Sequence, residues 1–208
     1  MFSVQLIIKL VLVAIVAYIV GNISPARLIG RRHGIDITSY GSGNPGTTNV
    51  IRILGLKAGL LTLVIDMLKG FIAVRLGFAL CWPYGAFVAF VFVLLGHCYP
   101  MFYKFKGGKG VAAALGAAFA LNWPTATLAF VVAIIVLLID ERMSVASLCA
   151  AVVYPVLMWR IAPDMLIFSI VVAVFIFITH IPNIRRITAG EEPKLQIGEK
   201  LKSLNNKE

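Results

Sequence analysis

A glycine-rich segment with a central lysine is the first place in this sequence where residue types and spacing could support chemistry. In Gly107-Gly108-Lys109-Gly110, amides without bulky side chains can approach an anion, and the lysine adds charge where an apolar segment begins. The longer glycine-to-lysine spacing of a P-loop, and its Ser or Thr after the lysine, are missing, so a magnesium nucleotide site is not supported. The segment predicts either an anion-binding loop or a turn whose lysine reaches the membrane surface.

A second polar segment, GSGNPGTTNVIR at residues 41–52, carries side chains suited to phosphate. Its Gly-x-Gly-x-x-Gly spacing matches a dinucleotide fingerprint, but the preceding buried strand and the soluble crossover helix that give this spacing meaning are missing. Hydroxyls, amides and the donor fork of an arginine remain as phosphate ligands. The alternative is that these side chains cap the next helix and satisfy loop backbone groups. The candidates are Ser42, Asn44, Thr47, Thr48, Asn49 and Arg52.

Two polar pairs have helical spacing. His180 and Asn183, at the end of the last apolar segment, lie at i and i+3 and can share a face. A lone histidine there can be an interfacial side chain as well as a catalytic one. Asp66 and Lys69 have the same spacing inside an apolar segment, where pairing lowers the cost of both charges in lipid. We expect this second pair to be structural.

The elements that must position these residues are membrane helices. The chain has 208 residues, of which 60% are hydrophobic, with a mean hydropathy of +0.94, whereas soluble domains are about half apolar. A span needs about twenty residues. We predict an all-α, polytopic membrane bundle, with one domain over 1–208 that ends in a basic cytoplasmic tail at 193–208. The predicted spans are 4–22, 58–79, 85–103, 107–122, 124–139, 144–159 and 164–180; the first lacks the features of a removable signal peptide.

Positive charge predicts the orientation of this bundle. Seven spans, with the N-terminus outside and the C-terminus in the cytoplasm, place most of the 19 lysines and arginines on the cytoplasmic side. The polar segments then face one surface. The net charge of +10 is suited to anionic lipid headgroups, and so apolar a chain is not expected to bind nucleic acid. The three cysteines lack paired metal spacing, so neither a metal site nor a disulfide is predicted.

Three segments together resemble the motifs of a known family, the bacterial acyl-phosphate:glycerol-3-phosphate acyltransferases, which are small membrane-integral enzymes. GSGNPGTTNVIR resembles the first cytoplasmic motif, GHCYPMFYKFKGGKGVA the second and HIPNIRRITAGEE the third, in the same order. The resemblance extends through about residue 192. Thr179, Ile181 and Pro182 stand where the family tends to have more basic or polar residues, and Thr47 replaces a usual alanine.

This resemblance implies transfer of a fatty acyl group from acyl phosphate to the sn-1 hydroxyl of glycerol 3-phosphate, at the cytoplasmic face of the bacterial inner membrane and without a cofactor. The products would be lysophosphatidic acid and phosphate. It implies catalytic roles for Lys109, Ser147, His180 and Asn183. It implies phosphate-binding roles for Ser42, Thr48, Asn49, Arg52, Gly107, Gly108 and Gly110. Asn44 lies in the same polar segment as the first four, and its amide is a further candidate for phosphate binding.

Two other functions compete with this expectation. A transporter of a phosphorylated metabolite would also combine membrane spans with a basic site, but no inverted repeat is present, and the polar residues cluster at one face rather than at the midplane. A thioester-dependent lysophospholipid acyltransferase would need a His-x-x-x-x-Asp pair, which none of the three histidines provides.

Overall fold

The described part of the chain, residues 3–195 of a computed structural model, is built from α-helices joined by short loops. Seven longer helices correspond one to one with the predicted apolar segments, and three short ones lie in the polar connections. The all-helical prediction is therefore confirmed. The helices are α1 Val4–Asn22, α2 Pro25–Arg32, α3 Thr47–Leu54, α4 Leu56–Cys81, α5 Tyr84–Cys98, α6 Val111–Leu121, α7 Trp123–Asp140, α8 Met143–Ile161, α9 Leu166–Thr179 and α10 Ile181–Thr188. Of the predicted tail, 193–208, all but residues 193–195 lie outside the described residues.

One predicted boundary differs from the structure at the glycine-rich segment. The predicted span 85–103 corresponds to Tyr84–Tyr103, in which α5 ends at Cys98 and is followed by a short 3-10 turn, Met101–Tyr103. The helix predicted to begin at residue 107 begins at Val111. Gly110 precedes it with a φ of 86°, in the left-handed region that a helix cannot continue through and that favours glycine. The glycine-rich segment is thus a loop.

The number of membrane spans depends on two helices. Within residues 3–195, four stretches are long and apolar enough to cross a bilayer, namely Val4–Arg32, Tyr84–Tyr103, Trp123–Asp140 and Met143–Ile161. The pair Pro163–Thr179 and Ile181–Thr188, bent by 62°, is a fifth. The two helices outside this set are α4 and α6. The 26-residue α4 is interrupted by charged residues, and the 11-residue α6 reaches only about 17 Å.

The helices around α4 approach closely because small residues face one another at their crossings. A Cβ added to Gly21 of α1 would lie 2.9 Å from the Cα of Gly96 in α5, and a Cβ on Gly116 of α6 would overlap the backbone of Met67 in α4. Lipid is as apolar as the helix surfaces, so close backbone contact of this kind is a main source of helix association in a membrane.

The core of the bundle contains a charged cluster joining α1, α4 and α5. Lys69 Nζ lies 2.7 Å from Asp66 Oδ1 and donates hydrogen bonds to the carbonyls of Gly21 and Ile23, at 3.1 and 2.7 Å. His97 Nδ1 lies 3.3 Å from the same carboxylate oxygen. All three charged or titratable side chains are buried. Lys69 therefore offsets the charge of the carboxylate and satisfies carbonyls that the end of α1 leaves without helical partners.

Removing one member of this pair should destabilise the bundle. Lys69→Met leaves Asp66 without its closest cation, and we expect a loss of about 3 kcal/mol or more, because a buried charge without its partner is costly. The double variant Asp66→Leu, Lys69→Met removes both charges and should recover part of that loss. Thermal unfolding in detergent measures the effect; equal unfolding temperatures for Lys69→Met and the unaltered protein would contradict the role given to the pair.

Candidate active site

The first polar loop is held together by one buried amide. Asn49, near the start of α3, accepts a hydrogen bond on Oδ1 from the amide of Ser42 at 2.9 Å. Its Nδ2 donates to the carbonyls of Ile37 and Tyr40, both at 3.0 Å. The side chain is 1% exposed. Asn49 therefore closes the loop on itself. It also lines the cavity beside the loop, and its expected phosphate contact stays a prediction.

The loop held by Asn49 turns other polar side chains toward a cavity. Ser42, Asn44, Thr48 and Arg52 all line it. Arg52 donates to the carbonyl of Pro193 at 3.0 Å, while its Nε is buried without a hydrogen-bond partner among the described residues. Because buried donors are normally satisfied, this spare N–H is suited to a polar ligand. These four expected residues are brought together as the sequence predicts.

The glycine-rich loop is fixed to the end of α5. The amide of Gly107 donates to the carbonyl of Cys98 at 3.0 Å, and the amide of Gly108 donates to that of His97 at 3.1 Å. A Cβ on Gly107 would overlap the His97 carbonyl, and one on Gly108 would overlap the His97 ring. Both glycines are needed for this close approach. Their amides are engaged by the backbone, which differs from the expectation that they donate to an anion; of this segment, Lys109 and Gly110 line the cavity.

Lys109 lies at the polar end of the cavity in a strongly basic environment. Burial lowers the pKa of Lys109 to about 8; Glu192 favours its charged form, whereas Arg186 and Arg52 oppose it. Its carbonyl accepts a hydrogen bond from Thr179 Oγ1 at 2.9 Å, which joins the loop to the end of α9. Three basic side chains, those of Lys109, Arg52 and Arg186, thus interact electrostatically with one another and with the carboxylate of Glu192. The excess of positive charge suits an anion.

The carboxylate in this group, Glu192, was not singled out from the sequence. Its Oε1 accepts hydrogen bonds from Ser144 Oγ at 2.8 Å and Asn183 Nδ2 at 2.7 Å, and its Oε2 accepts one from Arg186 Nε at 2.7 Å. Burial alone would raise the pKa of Glu192, but the three hydrogen bonds and the charge of Arg186 outweigh it, so the pKa lies below its ordinary value. The available signal was the acidic pair that ends the third motif, in a chain with only nine acidic residues.

The remaining expected catalytic residues lie on the same cavity wall. His180, between α9 and α10, is 2% exposed, and its Nδ1 is 2.8 Å from the carbonyl of Ile176. A carbonyl can only accept, so Nδ1 carries a proton and Nε2 of the neutral ring is left as an acceptor. Ser147 donates to the carbonyl of Met143 at 2.8 Å and keeps its lone pairs. Asn183 Oδ1 is buried without a partner among the described residues.

These groups occupy the polar end of a cavity of about 480 Å³ whose other walls are apolar. Helices α4 to α9 all contribute lining residues, many of them alanine or leucine. One continuous space therefore offers cations and hydrogen-bonding groups at one end and a hydrocarbon surface along the rest. Such a space fits an amphiphile with an anionic head and a long apolar tail.

Comparisons with known proteins agree with this geometry. A sequence model of the glycerol-3-phosphate acyltransferase family matches residues 11–190. A glycerol-3-phosphate acyltransferase of Thermoanaerobacter sp. (strain X514) is 38% identical over 189 residues, which are 89% of this chain and 95% of the relative. One of Jannaschia sp. (strain CCS1) is 41% identical over 186 residues, 88% and 92% of the two chains.

Two solved structures are also similar. The crystal structure of PlsY (YgiH), an integral membrane glycerol 3-phosphate acyltransferase, in its glycerol 3-phosphate form matches with a TM-score of 0.86 and 34% identity, over 92% of this chain and 98% of that one. Its lysophosphatidic acid form matches with a TM-score of 0.82 and the same identity, over 89% and 94%. The fold and site define a membrane-integral helical protein whose cavity has a cationic end. The chain belongs to the glycerol-3-phosphate acyltransferase family.

Glu192 should be the main stabilising contact of this wall. Glu192→Ala leaves Ser144, Asn183 and Arg186 without their shared acceptor, and we expect a loss of about 3 kcal/mol, because hydrogen bonds to a buried charge are strong. Glu191→Ala, which removes the neighbouring exposed carboxylate, is the matched control and should change little. Unfolding temperatures of the two purified variants give the comparison, and an equal effect of both would show that the network contributes nothing specific.

Proposed function

We propose that the chain transfers a fatty acyl group from acyl phosphate to the sn-1 hydroxyl of glycerol 3-phosphate, giving lysophosphatidic acid and phosphate. The observation that carries this proposal is the union of a cationic end and a long apolar surface in one cavity. Membership of the glycerol-3-phosphate acyltransferase family supports it, and so do the glycerol 3-phosphate and lysophosphatidic acid forms of the similar solved protein. Both substrates carry a phosphate, which suits the excess of cations.

The chemistry needs positioning more than it needs an enzyme nucleophile. An acyl phosphate is a mixed anhydride whose phosphate leaves readily, so the glycerol hydroxyl oxygen can attack the acyl carbon directly. The new ester bond forms as the bond from the acyl carbon to the phosphate oxygen breaks. Lys109 and Arg52 bind phosphate, orient the two substrates and stabilise negative charge on the carbonyl oxygen and the departing phosphate. Gly107 and Gly108 hold Lys109 in place, and Gly110 lines the cavity beside it.

The hydroxyl proton has two acceptors in this arrangement. One is Nε2 of His180, which the hydrogen bond of Nδ1 to Ile176 leaves unprotonated in the neutral ring. The other is a phosphate oxygen of the substrates themselves. Asn183 and Ser147 position glycerol 3-phosphate and the acyl carbonyl, with Glu192 orienting the amide of Asn183. Ser42, Asn44 and Thr48 complete the phosphate site, and Asn49 keeps their loop closed.

We also propose seven membrane spans, with the N-terminus outside and the site at the cytoplasmic face of the bacterial inner membrane. The charges inside α4 are compatible with a span because Asp66 and Lys69 are paired and buried. The short α6 packs against α4 through Gly116, so it is lined by protein along part of its length. The membrane supplies acyl phosphate and receives lysophosphatidic acid through the apolar part of the cavity.

Lys109→Ala should abolish transfer, with a loss of at least about a thousandfold in kcat/KM, because a cation that lines the cavity is removed. The assay is phosphate release by purified protein in lipid, given palmitoyl phosphate with and without glycerol 3-phosphate, and palmitoyl-CoA as a competing donor. Lys106→Ala, in the same loop but exposed, is the control. Near-normal activity of Lys109→Ala would overturn its role. Bound phosphate substrate without turnover in the unaltered protein would favour a transporter of a phosphorylated metabolite.

The lowered pKa of Lys109 predicts a pH limit on this activity. Since burial brings the pKa to about 8, the lysine loses its charge as pH rises through that value, well below the usual range for lysine. The kcat/KM for glycerol 3-phosphate reports the free enzyme and should fall about fivefold over the first pH unit above the pKa. Lys109→Arg keeps its charge at any accessible pH, so this decline should be absent in that variant whatever its absolute rate. A decline that persists in Lys109→Arg would assign the limit to another group.

A further inference from the structure

One buried side chain in the apolar part of the cavity has a polar atom that the proposed chemistry does not use. Tyr154 of α8 is 6% exposed and lines the cavity. Its hydroxyl is buried and has no hydrogen-bond partner among the described residues. Buried tyrosine hydroxyls are usually hydrogen-bonded. Packing among the helices therefore does not explain why a tyrosine occupies this position.

Tyr154 lies on the same helix face as a residue of the polar end. Ser147 and Tyr154 are separated by seven residues of α8, which is close to two turns, so both side chains face the cavity. The separation along the helix is about 10 Å. A molecule with its reacting group beside Ser147 would extend an apolar tail along α8 toward the ring of Tyr154.

On α8 the lining of the cavity ends at Tyr154. One turn further along α8, Met158 is fully buried and is packed into the core instead of lining the cavity. The same change occurs on α5, where Phe90 lines the cavity and Ala86, one turn further from the polar end, is fully buried in the core. On each of these two helices the cavity wall gives way to packed core, on α8 directly beyond Tyr154 and on α5 directly beyond Phe90.

We propose that Tyr154 sets the length of acyl chain that the cavity accepts, as a specificity-determining residue. This inference rests on the proposed acyl transfer. A chain that just reaches the ring buries its methylenes against apolar walls, and each adds to binding. A longer chain that continues in this direction must displace the ring, because Met158 and Ala86 beyond the cavity wall are packed into the core.

The length profile of the transfer reaction tests this role. Relative kcat/KM is measured with glycerol 3-phosphate and a series of saturated acyl phosphates, for the unaltered protein and its variants in lipid. Tyr154→Ala removes the ring and should raise the preference for chains with two more methylenes on the order of tenfold. Tyr154→Phe keeps the ring and should preserve the chain-length optimum. A Tyr154→Ala profile parallel to that of the unaltered protein, or an equal shift in Tyr154→Phe, would overturn the proposal.

Filling the same end of the cavity gives an independent test if Tyr154→Ala fails to fold. Ala126 of α7 and Ala118 of α6 both line the cavity and are buried, and substitution of either by valine removes space there. Each should move the optimum toward shorter chains; an unchanged optimum in both folded variants would refute the length limit at this end. Absence of transfer with every chain length in the unaltered protein would refute the proposed function itself, which is a distinct result.

Discussion

A charge buried inside a helical bundle must be paired, and in this protein the contacts of Lys69 and its partner Asp66 join helices α1, α4 and α5. The lysine contacts Asp66 one turn away on α4 and the carbonyls of Gly21 and Ile23 at the end of α1. Because Asp66 also contacts His97, α5 is fixed to the same point. Three helices are thereby joined where the cost of an unsatisfied polar group is highest.

The site is built outward from this cluster by short steps. His97 and Cys98 present carbonyls to the amides of Gly107 and Gly108, and these contacts locate Lys109. The carbonyl of Lys109 in turn accepts a hydrogen bond from Thr179, next to His180. A structural charge pair in the core is thus connected to the cation of the site through backbone contacts. Small residues are required along this route, because Cβ atoms on Gly107 and Gly108 would overlap α5 and His97.

Local patterns were sufficient for the helices, but not for the contacts that hold the polar side chains of the cavity. Long apolar runs predicted the helices because membrane helices satisfy their own backbone. The predicted start at residue 107 was wrong because the left-handed Gly110 and the contacts of Gly107 depend on a neighbouring helix. The sequence left open whether Asn49 binds phosphate or loop backbone groups, since an amide in a sequence does not reveal whether distant carbonyls already occupy it. Glu192 was missed for the same reason, because its partners Ser144 and Arg186 are brought together only by the fold.

The balance of charge at the site explains why one carboxylate is retained among the cations. Lys109, Arg52 and Arg186 repel one another, and with burial this lowers the pKa of Lys109. Glu192 offsets part of that repulsion and holds Arg186 and Asn183 in fixed positions, yet it leaves an excess of positive charge. In the proposed reaction, a dianionic phosphate would be attracted to groups that are already oriented, which would reduce the reorganisation needed as charge develops in the transition state. Because the apolar walls adjoin these groups, an acyl carbonyl bound at this boundary would be shielded from water on one side and would face the cations on the other. Charge on its oxygen would therefore be stabilised more strongly than in solvent.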